Sequence, residues 1–266
     1  GDHARFGDLG GKTVLPGFSD PHTHVVAGSV VDAVMEYVGM AKFGTVAEVV
    51  DHIAKRAAAT PEGEWLVFRN FDPAVQEGAD ELTFKELDAI STEHPIFVFN
   101  ASGHLAYANS KAFREAGIPD DVENPPGAEY VRDATGKLNG VMKNNVSFLQ
   151  VLGAYPALTT TDPVDAVVGL LSKWSQHGLT TVSELSLGGL SQSPVDTQVL
   201  LGKLELGSSQ GIRFQARVDV ALERQDRLLG IVQGKGLRPV HEAPVVELGD
   251  LLAHPHQFPQ VLRAQL

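Results

Sequence analysis

Apolar positions along this chain follow two alternating rhythms, one of helical spacing and one of short unbroken runs. Val46, Val49, Val50, Ile53, Ala54 and Ala57 share one helical face, and Thr45 with Glu48 has the form of a capping box, so a helix is predicted from about Val46 to Ala58. Trp65–Phe68 reads as a strand. Thr83 with Glu86 opens a short helix carrying Leu87 and Ile90. Pro95–Phe99 is a continuous apolar run, as a buried strand requires; it leads to Ser110, a candidate N-cap, and a short helix stopped by Gly117. Asp162 and Pro163 open a helix with Val164, Val167, Val168, Leu171 and Trp174 on one face. Gly178 ends it, and Leu179–Leu185 follows as a strand. A helix from about Pro194 to Leu206 and a strand over Arg213–Val220 complete the series.

Strands alternating with helices predict βαβ units, a parallel sheet and an α/β fold. A (β/α)8 barrel is the first choice and an open doubly wound sheet the second, because neither GxGxxG nor GxxxxGK[ST] stands at a strand-to-helix turn. Two regions depart from the rhythm. Near the start, Thr13-Val14-Leu15 begins a short strand that Pro16-Gly17 ends. Residues 118–145 are rich in Pro, Gly, Asp and Asn and read as a loop-rich insertion, with Asp133-Ala134-Thr135-Gly136 as the turn of a hairpin.

Composition narrows the class. The chain of 266 residues is 43% apolar, enough for a sizeable core, and its formal charge of −12 disfavours nucleic acid or an anionic membrane surface as partner. No apolar run approaches a membrane span, and the absence of cysteine excludes disulfides and thiolate ligation. A soluble cytoplasmic protein is the expectation, with a homo-oligomer left open.

The chemistry concentrates in Val14-Leu15-Pro16-Gly17-Phe18-Ser19-Asp20-Pro21-His22-Thr23-His24. Side chains alternate along a strand, so Asp20, His22 and His24 are predicted to point one way and Pro21 and Thr23 the other. Two imidazoles on one face can reach a single cation. This stretch resembles the first barrel strand of the metal-dependent amidohydrolase superfamily, V-L-P-G-F-x-D-x-H-x-H. Further marks are similar to its amidohydrolase 3, or YtcJ-like, branch, which includes N-substituted formamide deformylases. They include Gly63-Glu64-Trp65, Asn70-Phe71-Asp72, Ala101-Ser102-Gly103-His104, Ala108-Asn109-Ser110 and His177-Gly178-Leu179-Thr180-Thr181-Val182. The resemblance covers roughly residues 8–220.

That resemblance implies a metal-bearing (β/α)8, or TIM-type, barrel and hydrolysis of a C–N bond (amide, formamide or cyclic amide) by attack of metal-bound water. His22 and His24 match the first two metal ligands. One or two divalent ions are implied; zinc suits nitrogen-rich ligation best, with iron, manganese and nickel left open. Glu184, at the end of its strand, could supply a bridging carboxylate, with a salt-bridged side chain as the plainer reading. His104 could contact substrate, or simply pin a loop. Asp20 is expected to orient a ligand histidine or the strand. Lys143 reads as a surface lysine, and His254 and His256 repeat the His-x-His spacing without a strand before them.

The resemblance also sets an expectation of incompleteness. Four or five barrel strands can be placed before residue 221, and residues 221–266 read as an atypical tail unlike the family's continuation, as truncation or a frameshift would produce. Residues 1–220 are then a partial barrel. The alternatives to a working hydrolase are a non-catalytic amidohydrolase fragment and a metal-binding module without turnover.

Overall fold

The computed structural model of the chain describes residues 10–11, 13–78, 81–184 and 213–216, the last four by their backbone. It is a mixed α/β fold of two units, one made of residues 27–167 and the other of residues up to Val26 together with those from Val168. Helices α1 (Val25–Val34) and α7 (Pro163–Gln176) carry the chain from one unit to the other.

The unit of residues 27–167 is built on a six-stranded sheet in the order β2-β3-β4-β5-β7-β6. Its strands are β2 (Glu36–Tyr37), β3 (Leu66–Phe71), β4 (Ile96–Asn100), β5 (Leu105–Ala108), β6 (Glu129–Arg132) and β7 (Leu138–Lys143). β2, β3 and β4 are parallel. The expected parallel arrangement fails beyond them at β4–β5 and β5–β7, which are antiparallel. For β4–β5 the reason is connection length: the turn Ala101–His104 is far too short for the crossover that parallel neighbours need. The hairpin predicted around Asp133 is present as β6–β7, with Asp133 N donating to Lys137 O at 2.8 Å.

Both faces of this sheet are covered, which explains why its strands read as unbroken apolar runs. Leu66, Phe68, Ile96 and Val98 join Val46, Val49 and Ile53 of α2 (Val46–Ala59) and Leu87 of α3 (Phe84–Ile90) in one core. The alternate residues Val67 and Phe97 join Ala112 and Phe113 of α4 (Ser110–Glu115) and Phe148, Val151 and Leu152 of α5 (Asn145–Leu152) in the other. A short helix, α6 (Pro156–Thr160), follows α5. Both predicted capping boxes form, at Thr45/Glu48 and Thr83/Glu86. At α4 the cap is Asn109, one residue before the Ser110 expected. Its side chain is fully buried and uses its whole hydrogen-bonding capacity. Oδ1 accepts from Ile96 N and Ala112 N, each at 2.9 Å, and Nδ2 donates to Ser91 O and His94 O, each at 2.8 Å.

The second unit holds a three-stranded parallel sheet in the order β1-β8-β9, from β1 (Phe18–Thr23), β8 (Leu179–Glu184) and β9 (Arg213–Ala216). The strand expected at Thr13–Leu15 begins instead at Phe18, beyond Pro16-Gly17, and Val14 and Leu15 are exposed. A proline cannot donate to a ladder, and the chain pairs only after it. Asp162 opens α7 as predicted, its Oδ1 accepting from Val164 N at 2.8 Å. Gly178, at φ +84°, closes the turn before β8 in a conformation that favours glycine. The helix expected near 194–206, the strand residues beyond Ala216 and the tail lie outside the described residues.

Candidate functional site

β1 does not alternate strictly. It pairs Asp20 with Val182 and Thr23 with Glu184, so three steps on β1 match two on β8 and an extra residue bulges from β1. The sequence supplies the cause. Pro21 has no N–H to give the ladder, and the His22 N–H is taken locally by Asp20 Oδ1 at 3.0 Å. Asp20 therefore shapes the strand through the His22 backbone. A bulge re-aims the side chains around it. Here the His22 and His24 rings meet edge to face, with centroids 5.3 Å apart and planes at 81°.

Both histidines are exposed, the His24 side chain at 51%. The spacing lets one nitrogen of each ring reach a common ion at ~2.0–2.1 Å. Among the described residues, no group of three or more His, Asp, Glu or Cys is gathered as a metal would need. The donors present suit a divalent ion, and they make two of the set.

Glu184 ends β8 beside this pair. Its side chain is only 1% exposed. Oε2 accepts from Val26 N, in the first turn of α1, at 3.0 Å, and Oε1 lies 3.9 Å from His24 Nδ1. An N–H of a first helical turn has no partner within its own helix, so a carboxylate placed there satisfies it and is favoured by the helix dipole. Thr23, buried between the two histidines in sequence, donates its hydroxyl to Ser183 O at 2.7 Å and joins the strand ends. Its place on the strand face opposite the histidines was the signal available in the sequence.

The other residues considered from sequence belong to the unit of residues 27–167. His104 is exposed in the turn between β4 and β5, and its backbone holds that turn: N donates to Ser102 Oγ at 3.2 Å and O accepts from Asn144 N at 2.7 Å. Lys143 pairs with Glu129 at 3.0 Å across the β6–β7 hairpin. Phe71 and Phe97 are core residues, and Trp65 packs beside Tyr155 with ring centroids 5.8 Å apart. His254 and His256 lie outside the described residues.

Residues 5–204 match the amidohydrolase family, and the chain belongs to it. It is 30% identical over 237 residues to N-substituted formamide deformylase of Arthrobacter pascens, across 84% of this chain and 43% of that protein. It is 27% identical over 183 residues to exoenzymes regulatory protein AepA of Pectobacterium carotovorum, across 67% of this chain and 39% of that one. Among solved structures, a metal-dependent hydrolase of Pyrococcus horikoshii is similar over 81% of this chain and 38% of its own, at 17% identity and a TM-score of 0.44. The chain thus spans less than half the length of these curated relatives. Its lineage is that of the amidohydrolases.

Proposed function

We propose that the chain carries part of the active site of a divalent-metal hydrolase acting on a C–N bond, with an amide, a formamide or a cyclic amide as substrate. The observation that carries this reading is the His22–His24 pair, two exposed rings 5.3 Å apart at the end of β1, within residues that match the amidohydrolase family. His22 and His24 hold the ion, with zinc the best match to imidazole donors. When bound, such an ion polarises a carbonyl oxygen and makes water acidic enough to act as a nucleophile near neutral pH. The chain's own residues do the placing. Asp20 fixes the His22 backbone, and the bulge at Pro21–His22 turns the two rings toward each other. The formamide class is favoured by the deformylase relative, which shares 30% identity.

The test uses the full chain. Zinc content per chain is measured after dialysis, and N-substituted formamides and N-acyl amines are screened for hydrolysis, in the wild type and in His22→Ala and His24→Ala. Zinc retained by the wild type and lost with either substitution supports the site, and turnover that disappears with it supports the reaction. Wild-type protein that takes up no divalent ion overturns the reading. Zinc uptake without hydrolysis would leave a metal-binding module.

A further inference from the structure

Glu184 is a carboxylate 99% removed from solvent by its 1% exposure, and a buried charge is costly unless it is paired and hydrogen-bonded. Two contacts reach it from one short stretch of chain. Val26 N donates to Oε2 at 3.0 Å, and His24 Nδ1 stands 3.9 Å from Oε1. The parallel register that pairs Thr23 with Glu184 brings both of these to the carboxylate, and the bond from the Thr23 hydroxyl to Ser183 O holds that register at the strand end. A carboxylate that bridged two ions would turn both oxygens to metal; here Oε2 is engaged by the first turn of α1.

Resting on the reading that His22 and His24 hold a divalent ion, we infer that Glu184 is a positioning residue, clamped by α1 through one oxygen and setting the tautomer of His24 through the other. A neutral imidazole has one N–H and one lone pair. A carboxylate facing Nδ1 keeps the hydrogen there and leaves the Nε2 lone pair for the ion, as outer partners of metal-bound histidines do. The 3.9 Å separation is about 1 Å longer than an ordinary N–H···O bond of ~2.9 Å, and direct pairing requires the half-exposed His24 ring to turn toward Oε1. The arrangement makes His24 the oriented member of the pair through its ring, while His22 is oriented through its backbone by Asp20.

The experiment compares wild type with Glu184→Gln in the full chain. The glutamine carbonyl can still accept from Val26 N–H, but its amide presents a donor to His24 Nδ1 and favours the other tautomer. Zinc affinity, measured by competition with a chelator, is expected to fall ~10–100-fold while the zinc-to-protein ratio at saturation is unchanged. In metal-free protein at about pH 8, where imidazole is ordinarily neutral, imidazole nitrogen NMR is expected to show His24 moving from the Nδ1–H to the Nε2–H form. Loss of one whole equivalent of zinc overturns the inference, because Glu184 would then be a ligand. An unchanged affinity and tautomer also overturn it, leaving Glu184 only a cap for α1. If the wild type binds no zinc, the metal reading falls, and the tautomer measurement alone then decides whether Glu184 positions His24. Should Glu184→Gln fail to fold, Glu184→Asp, which keeps the charge but shortens the reach, is expected to weaken zinc binding in the same direction and by less.

Discussion

In the six-stranded sheet, Ile96, Phe97 and Val98 of β4 are fully buried, alternately toward α2 and α3 and toward α4 and α5. In the three-stranded sheet, Phe18 of β1 is 58% exposed, and Val14 and Leu15 just before it are 67% and 66% exposed. One strand is held by its side chains. Among the described residues, the other is held by its backbone pairing with β8 and by polar contacts that include Asp20 with His22 N, Thr23 with Ser183 O and Glu184 with Val26 N. The candidate chemistry sits on the second. Apolar packing is non-directional and sets stability, whereas a hydrogen bond has a direction and can aim an imidazole. The contrast therefore separates what makes this chain fold from what makes its histidines point.

Substitutions at four positions probe that separation, from the strongest effect downward. Phe97→Ala removes a fully buried ring from the six-stranded unit and should cost about 3–5 kcal/mol in urea unfolding; a loss below about 1 kcal/mol would mean the two-sided core is not what holds that sheet. Asn109→Ala strips four hydrogen bonds from buried backbone groups and should cost roughly 2–3 kcal/mol by the same assay. Asn109→Asp should not rescue it, since the carboxylate cannot donate to Ser91 O and His94 O.

Tyr107 sharpens the comparison through pH. Burial pushes its phenol from 10.0 up to about 12, against the lowering effect of the bond it accepts from Asn100 Nδ2. A raised folded-state value means the neutral form is the one the fold prefers. Its contribution is whole below pH 10, where the unfolded phenol is also protonated, and is lost as pH rises through about 12. Tyr107→Phe should flatten the fall in stability over that window; an equally steep fall in the variant would assign it to other groups. Leu15→Ser, at a side chain 66% exposed, should change stability by no more than about 0.5 kcal/mol. A larger loss would show that Leu15 is covered by a part of the protein beyond the described residues, and the contrast between the two strands would narrow.

Several features were legible in the residues alone because their causes are local. The helices from Val46 and Phe84 open with capping boxes whose partners lie three positions apart. The Asp133 turn, the Asp162–Pro163 helix start and the His22-x-His24 pair are local in the same sense. Helix α1 escaped because Val25–Val34 has neither a clean polar face nor a cap of the usual form. The choice of Asn109 over Ser110 as cap was not legible either, since both can cap a helix. Asn109 is selected by Ile96, Ser91 and His94, which reach it from other segments. The bulge in β1 had a sequence cause in Asp20 and Pro21, yet its presence depends on the register against β8.

The sequence by itself determined the family, the metal-ligand pair at His22 and His24 as an expectation, and the starts of α2, α3 and α7, because spacing, capping and motif are properties of neighbours in the chain. Only the tertiary structure decided that β1 pairs with β8, and that Thr23 meets Ser183 across 160 positions. It alone also turned Glu184 inward, against the start of α1 and the Nδ1 of His24. Strand pairing and the burial of a charge are settled by which distant groups arrive together, and no local pattern encodes that arrival.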